Sequence, residues 1–147
     1  PQLIISDLLL TQVFCMHDLP EIFASTRTIA VVGMSDNPAR ASYEVARYLS
    51  DFYVVIPVNP NHRSIMGLTC YPDLASIPVQ VNMVDLFQRS ENVMAYVQPA
   101  IDIKVSVFWM QLGIENALAA EQLTAAGITV VQDRCTKIDH AKIRSQR

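Results

Sequence analysis

The residues best placed to do chemistry share one loop. A run of mostly β-branched residues, Thr28-Ile29-Ala30-Val31-Val32, ends at Gly33-Met34-Ser35, and a stretch with helical spacing begins near Ser42. A glycine at such a turn lets the backbone come close to a ligand. The start of the following helix offers free N–H groups and the positive end of its dipole. A phosphate is the natural partner for that combination. Ser42, at or near the helix N-cap, adds a hydroxyl, and Arg40 is the only cation in the loop. Without a ligand the same residues make a plain strand-to-helix turn. The dinucleotide fingerprint G-x-G-x-x-G is missing, because Ser35 and Pro38 stand where glycines are needed. The end of the second strand, Val58-Asn59-Pro60-Asn61, also lacks the acid that would hold the ribose of NAD.

Other reactive side chains are scattered. Cys135 has Arg134 and Lys137 nearby, which could favour a thiolate, but a free cysteine after a core strand also fits a small buried hydrophobe. Asp139 and His140 adjoin, yet consecutive residues seldom face each other, and no serine or cysteine nucleophile is marked by its context. Arg63 and Arg89 join Arg40 as candidates for pairing with phosphates or as solvated surface arginines. The three cysteines, Cys15, Cys70 and Cys135, show no C-x-x-C spacing, and no pair among the three histidines has metal-ligand spacing. An odd cysteine count with no disulfide framework points to a reducing, cytoplasmic compartment. Trp109 lies inside a strand run and reads as core.

These residues must be positioned by a chain of 147 residues, of which 51% are apolar and only 17% charged. That is one domain with a sizeable core. Eleven basic residues against fourteen acidic ones, with no run of basic residues, leave no footprint for nucleic acid or for an anionic membrane surface. No stretch approaches the ~20 apolar residues of a membrane span, and no basic segment precedes an apolar one as in a signal peptide.

Residues 1–26 read as a helical N-terminal extension. In it Ile4, Leu8, Leu9 and Val13 share a face, and a second short helix starts at Pro20. That face could dock on the rest of the chain, on another protein or in a homodimer. Residues 27–147 read as the functional domain. Strands are expected at Thr28 to Val32, at Tyr53 to Ile56 (ended by Pro57), at an edge around Thr69 to Tyr71, and at Val81 to Phe87, Val105 to Met110 and Ile128 to Val131. Helices are expected at Ser42 to Ser50, at Glu91 to Ile101 with Pro99 kinking or ending it, and at Glu115 to Ala126 capped by Gly127. Strands that are apolar throughout imply an α/β fold, a parallel sheet covered by helices on both faces, doubly wound and Rossmann-like.

Several segments together carry a resemblance. Ile29-Ala-Val-Val-Gly-Met-Ser35, the stretch PARASYEVARYL from Pro38 to Leu49, Ile56-Pro-Val-Asn-Pro60, Val84-Asp-Leu-Phe-Gln-Arg-Ser90, Trp109-Met-Gln-Leu-Gly113 and Asp133-Arg-Cys135 occur in order and at matching spacing. The chain from about Thr26 to His140 resembles the stand-alone CoA-binding-domain family. That family is similar to the CoA-binding domain of the succinyl-CoA synthetase alpha subunit. The resemblance implies strand order 3-2-1-4-5 with coenzyme A across the strand ends. It places Gly33, Met34 and Ser35 at the first phosphate-facing turn, closed by Arg40 and Ser42, and Asn59 and Pro60 at the end of the second strand. Val84, Phe87 and Arg89 would flank the pantetheine or adenine, and Gln111 and Gly113 the far wall. The family pattern has a basic residue just after Asn-Pro, where this chain has Asn61 followed by His62 and Arg63.

The synthetase carries its phosphorylated histidine in a second domain for which this chain has no room, so the resemblance transfers binding and not ligase chemistry. The expectation is a small non-catalytic protein that holds CoA or an acyl-CoA as carrier, sensor or accessory subunit. The alternatives are an acyl-CoA or thiol-active enzyme using Cys135 or His140, and a partner-binding module that has lost its ligand.

Overall fold

The structure is a computed structural model describing residues 18–146. The shared apolar face of Ile4, Leu8, Leu9 and Val13 lies outside those residues. Helix α1 (Leu19–Ser25) leads into strand β1 (Thr28–Val32), helix α2 (Ala41–Leu49) and strand β2 (Val54–Val58). A small hairpin of β3 (Ser64–Ile65) and β4 (Leu68–Thr69) follows, then β5 (Met83–Leu86). A 3-10 segment (Ser90–Tyr96) runs into α3 (Val97–Asp102), and β6 (Val107–Met110), α4 (Ala117–Ala125), β7 (Thr129–Val131) and α5 (Thr136–Ser145) complete the chain. No helix of the described residues is long and apolar enough to cross a membrane.

The main sheet is parallel, in the order β2-β1-β5-β6-β7. Counted with the edge around Tyr71 as third strand, these neighbours follow the expected run outward from the first strand. The third position itself is reduced to a single parallel bridge between Val58 and Tyr71. Alternation along each strand feeds two core layers. Ile29 and Val31 pack with Leu19, Phe23, Val45, Leu49 and Trp109 on the face of α1 and α2. Ala30 and Val32 pack with Val97, Ala100, Ala119, Leu123 and Phe108 on the face of α3 and α4. Burial on both faces is why the strands read as continuous apolar runs.

Two prolines act differently from their sequence reading. Pro57 does not end the second strand. Gly33 N–H donates to Val58 O at 2.9 Å, so Val58 faces β1, while Pro57 turns to the outer edge, where its carbonyl accepts from Tyr71 N at 3.0 Å. A missing N–H there costs no ladder bond. Pro99 neither kinks nor ends its helix, because it is the third residue of α3, where N–H groups have no helical acceptor. The preceding turns take 3-10 form instead. The α4 start is fixed by Asn116, whose side chain accepts from Ala119 N at 2.9 Å. Helix α5 has no counterpart among the expected elements. Its sequence is largely polar, and Cys135 at its N-cap makes no side-chain cap bond.

Phe108 is fully buried at the centre of the α3/α4 layer. Phe108→Ala is expected to lower the unfolding free energy by about 3–5 kcal/mol in urea titration, with an unchanged slope.

Candidate functional site

The winding direction reverses between β1 and β5, since β1 leads through α2 to β2 on one side while β5 lies on the other. The two carboxyl ends meet very closely there. Phe87 N–H donates to Val32 O at 2.8 Å, and Gly33 follows with φ +81°. A Cβ on Gly33 would lie 2.2 Å from Phe87 O, so no side chain fits. Glycine is required here on two counts, backbone conformation and space.

The loop after Gly33 is held by its own polar groups. Ser35 N–H donates to Ser42 Oγ at 2.9 Å, Asn37 N–H to Ser35 Oγ at 3.0 Å, and Ala39 N–H to Asn37 Oδ1 at 3.0 Å. Ser42 therefore ties the loop to α2 from inside the helix and does not act as its N-cap. Arg40 occupies the N-cap position with an extended backbone and an exposed side chain. The first turn of α2 thus carries a cation beside N–H groups that the helix leaves without acceptors. These residues open on a cleft of 460 Å³ lined by Gly33, Ser35, Ala39, Arg40, Ala41, Ser42 and Phe87. Its donors suit an anion, and coenzyme A presents a diphosphate of that kind.

The other expected site residues sit in three surroundings. Asn59 backs the loop, its Nδ2 donating to Met34 O at 2.9 Å while its Oδ1 accepts from Asn61 N at 2.9 Å. The Met34 side chain is fully buried in the α1/α2 layer, and Pro60 is exposed at the end of β2. His62 Nδ1 comes within 3.8 Å of Asp36, joining the loops after β1 and β2. Val84 lies fully buried in the opposite layer, against α3 and α4. Arg89 is exposed just before the 3-10 segment. Gly113 N–H donates to Asp133 Oδ1 at 2.7 Å, and its carbonyl accepts from Ser90 Oγ at 3.4 Å, so it joins the loops after β5, β6 and β7.

Gln111 is buried, and its amide donates to Asp85 Oδ1 and to Thr136 Oγ1. Sequence reasoning passed over both partners. Asp85 is 0% exposed in the middle of the sheet; burial pushes its carboxyl up to about 7 against the opposing effect of hydrogen bonds from Gln111 and Thr136. The available signal was an acid inside an apolar strand, Val84-Asp85-Leu86.

The residues considered for catalysis are otherwise engaged. Burial is the main influence on the half-buried Cys135 thiol and pushes it up, away from thiolate. Asp139 turns to Arg134, accepting from Nε at 2.7 Å and Nη2 at 2.9 Å, and not to His140. His140 is buried with Nδ1 2.8 Å from the Tyr48 hydroxyl and its ring packed edge-on against Phe23. No group of three potential metal ligands occurs among the described residues.

Comparison with known proteins gives a consistent picture. The family described as CoA binding domain matches residues 27–141. The protein YneT of Bacillus subtilis (strain 168) is 35% identical over 125 residues, covering 84% of this chain and 93% of YneT. A solved structure of a Pyrococcus horikoshii OT3 protein superposes with a TM-score of 0.86 at 34% identity, covering 90% of this chain and 94% of that one. An ADP-forming acetate–CoA ligase of Archaeoglobus fulgidus is 25% identical over 128 residues, which are 80% of this chain but only 19% of the ligase.

The Gly33 contact generates a graded expectation. Gly33→Ala combines a left-handed backbone with a collision and should cost roughly 2–5 kcal/mol. Gly113→Ala, at φ +80° but with open space around it, should cost only about 1–2 kcal/mol. Denaturant unfolding of the two variants side by side checks the difference.

Proposed function

The chain belongs to the CoA binding domain family, and from that premise we propose that it holds coenzyme A or an acyl-CoA in the cleft at the end of β1, without itself catalysing a reaction. The observation that carries this reading is the conjunction, at the switch point of the sheet, of Gly33, the Ser35 hydroxyl, the Arg40 guanidinium and the start of α2. In this reading the diphosphate lies against the first turn of α2, where N–H groups and the helix dipole meet it and Arg40 adds a charge-assisted hydrogen bond. The rest of the ligand runs along the carboxyl edge of the sheet, between Phe87 just after β5 and Asn59-Pro60 just after β2. Asn59 at the end of β2 offers no carboxylate to a ribose, which disfavours NAD.

A role as carrier, sensor or accessory protein is supported by the surroundings of Cys135 and His140. The first has a thiol held towards its protonated form, and the second is packed among aromatic rings. Ligase chemistry is not carried over, since the chain corresponds to about a fifth of the Archaeoglobus fulgidus ligase.

Thermal unfolding in the presence of CoA, acetyl-CoA, NAD or ATP tests the proposal. CoA at about 100 times its Kd should add roughly 2.7 kcal/mol of stability, and NAD none. Arg40→Ala should weaken CoA binding about tenfold or more, the effect of losing a charge-assisted hydrogen bond, while leaving the unliganded protein as stable as before. Absence of any shift with CoA or acetyl-CoA overturns it.

A further inference from the structure

We propose that Asp85, Gln111 and Thr136 form a proton-linked clasp between the sheet and the C-terminal helix α5, with α5 held more tightly when Asp85 carries a proton. None of the three residues lines the cleft, and the readouts need no ligand, so the clasp stands independently of the CoA reading.

The geometry is a closed triangle. Gln111 Nε2 donates to Asp85 Oδ1 and, at 2.8 Å, to Thr136 Oγ1, while Thr136 Oγ1 lies 2.9 Å from Asp85 Oδ2. Each corner comes from a different element: Asp85 from β5, Gln111 from the segment following β6, and Thr136 from the first residue of α5. All three residues are buried, Asp85 and Thr136 at 0% exposure.

No cation neutralises Asp85 among the described residues. Its strand neighbours, Val31 on β1 and Trp109 on β6, carry no charge, and the Trp109 indole N–H donates to Arg134 O. From α5 and its approach come Cys135, with a thiol kept protonated by burial, the Arg134–Asp139 pair, and His140, which meets Tyr48. Lys137 pairs with Glu44 of α2 at 3.1 Å. The carboxylate therefore has two hydrogen-bond donors and a helix N-terminus in its favour, and complete loss of water against it.

The triangle can be completed in either protonation state, because a hydroxyl both donates and accepts. With Asp85 ionised, the Thr136 hydroxyl donates to it. With Asp85 protonated, its own O–H donates to Thr136 Oγ1, and the Gln111 bonds persist. Opening of α5 exposes the carboxyl to water, where its ordinary value is ~3.9. The closed form binds the proton up to about 7. The clasp's contribution is thus fully present below about 4 and is lost as pH rises through about 7. Between those limits the open fraction of α5 increases by up to about tenfold per pH unit.

Two measurements on the full chain test this. Side-chain carboxyl NMR should show Asp85 titrating near neutral pH, with a still higher midpoint in Thr136→Val, which removes a donor to the ionised form. Hydrogen exchange should show protection of the α5 amides falling from pH 5 to 7 relative to β1 amides and levelling above. Asp85→Asn, a neutral near-isostere, should abolish that dependence while His140 and the His62–Asp36 pair remain. Titration of Asp85 below pH 5 overturns the proposal, as does an unchanged pH dependence in Asp85→Asn. If that variant does not fold, the carboxyl titration decides alone.

Discussion

Backbone meets backbone at Gly33 with no room for a side chain, and much of the molecule is arranged around that approach. The carbonyl of Phe87 occupies the space a Cβ would need. The same few residues hydrogen-bond β1 to β2 through Gly33 and to β5 through Val32, so the three strands are fastened where they end. With the strand ends fixed, the chain has only one way out, through the loop that Ser35, Asn37 and Ser42 brace into the first turn of α2. The cleft is the space left between that loop and Phe87. Its shape therefore follows from the sheet's topology and needs no dedicated wall.

This arrangement separates two kinds of polar group. Those facing the cleft are backbone N–H groups, a hydroxyl and an exposed guanidinium, all donors able to meet an anion that arrives with its own water. Those outside it, Asp85, Gln111 and Thr136, are sealed among apolar residues and satisfy one another. The first group is open to water, whereas removing one member of the second leaves a buried polar partner unsatisfied. The exposed donors of the cleft and the sealed polar cluster thus share no residue.

The strands were legible because burial on both faces leaves an unmistakable mark, as in Thr28 to Val32 and Val105 to Met110. The prolines were not, since Pro57 and Pro99 are harmless only through orientation and position within an element, which composition does not encode. Helix α5 was missed because its stability comes from contacts such as Thr136 with Asp85 and His140 with Phe23, with little local amphipathic signal. Within the candidate site, Gly33, Ser35, Arg40 and Ser42 could be singled out by type and spacing. The contribution of Phe87 begins with its carbonyl, which every residue possesses. The resemblance implied Gln111 as a wall of the ligand site; the structure turns its amide inward to Asp85, an acid inside an apolar strand.

The outward turn of Pro57 has a consequence for the protein's behaviour in concentrated solution. In a parallel strand alternate residues address opposite neighbours, so the outer side of β2 offers Val55 and Pro57, continued by Asn59 just past its end. Pro57 has no donor, and its carbonyl and the Asn59 N–H are both taken by Tyr71. Among the described residues this leaves a strand from another molecule little outward backbone of β2 to pair with. At the opposite margin β7 is only three residues long. Among the described residues the sheet is thus closed at one edge by an imino acid and the Tyr71 segment and curtailed at the other, an arrangement that disfavours growth into a shared sheet between molecules.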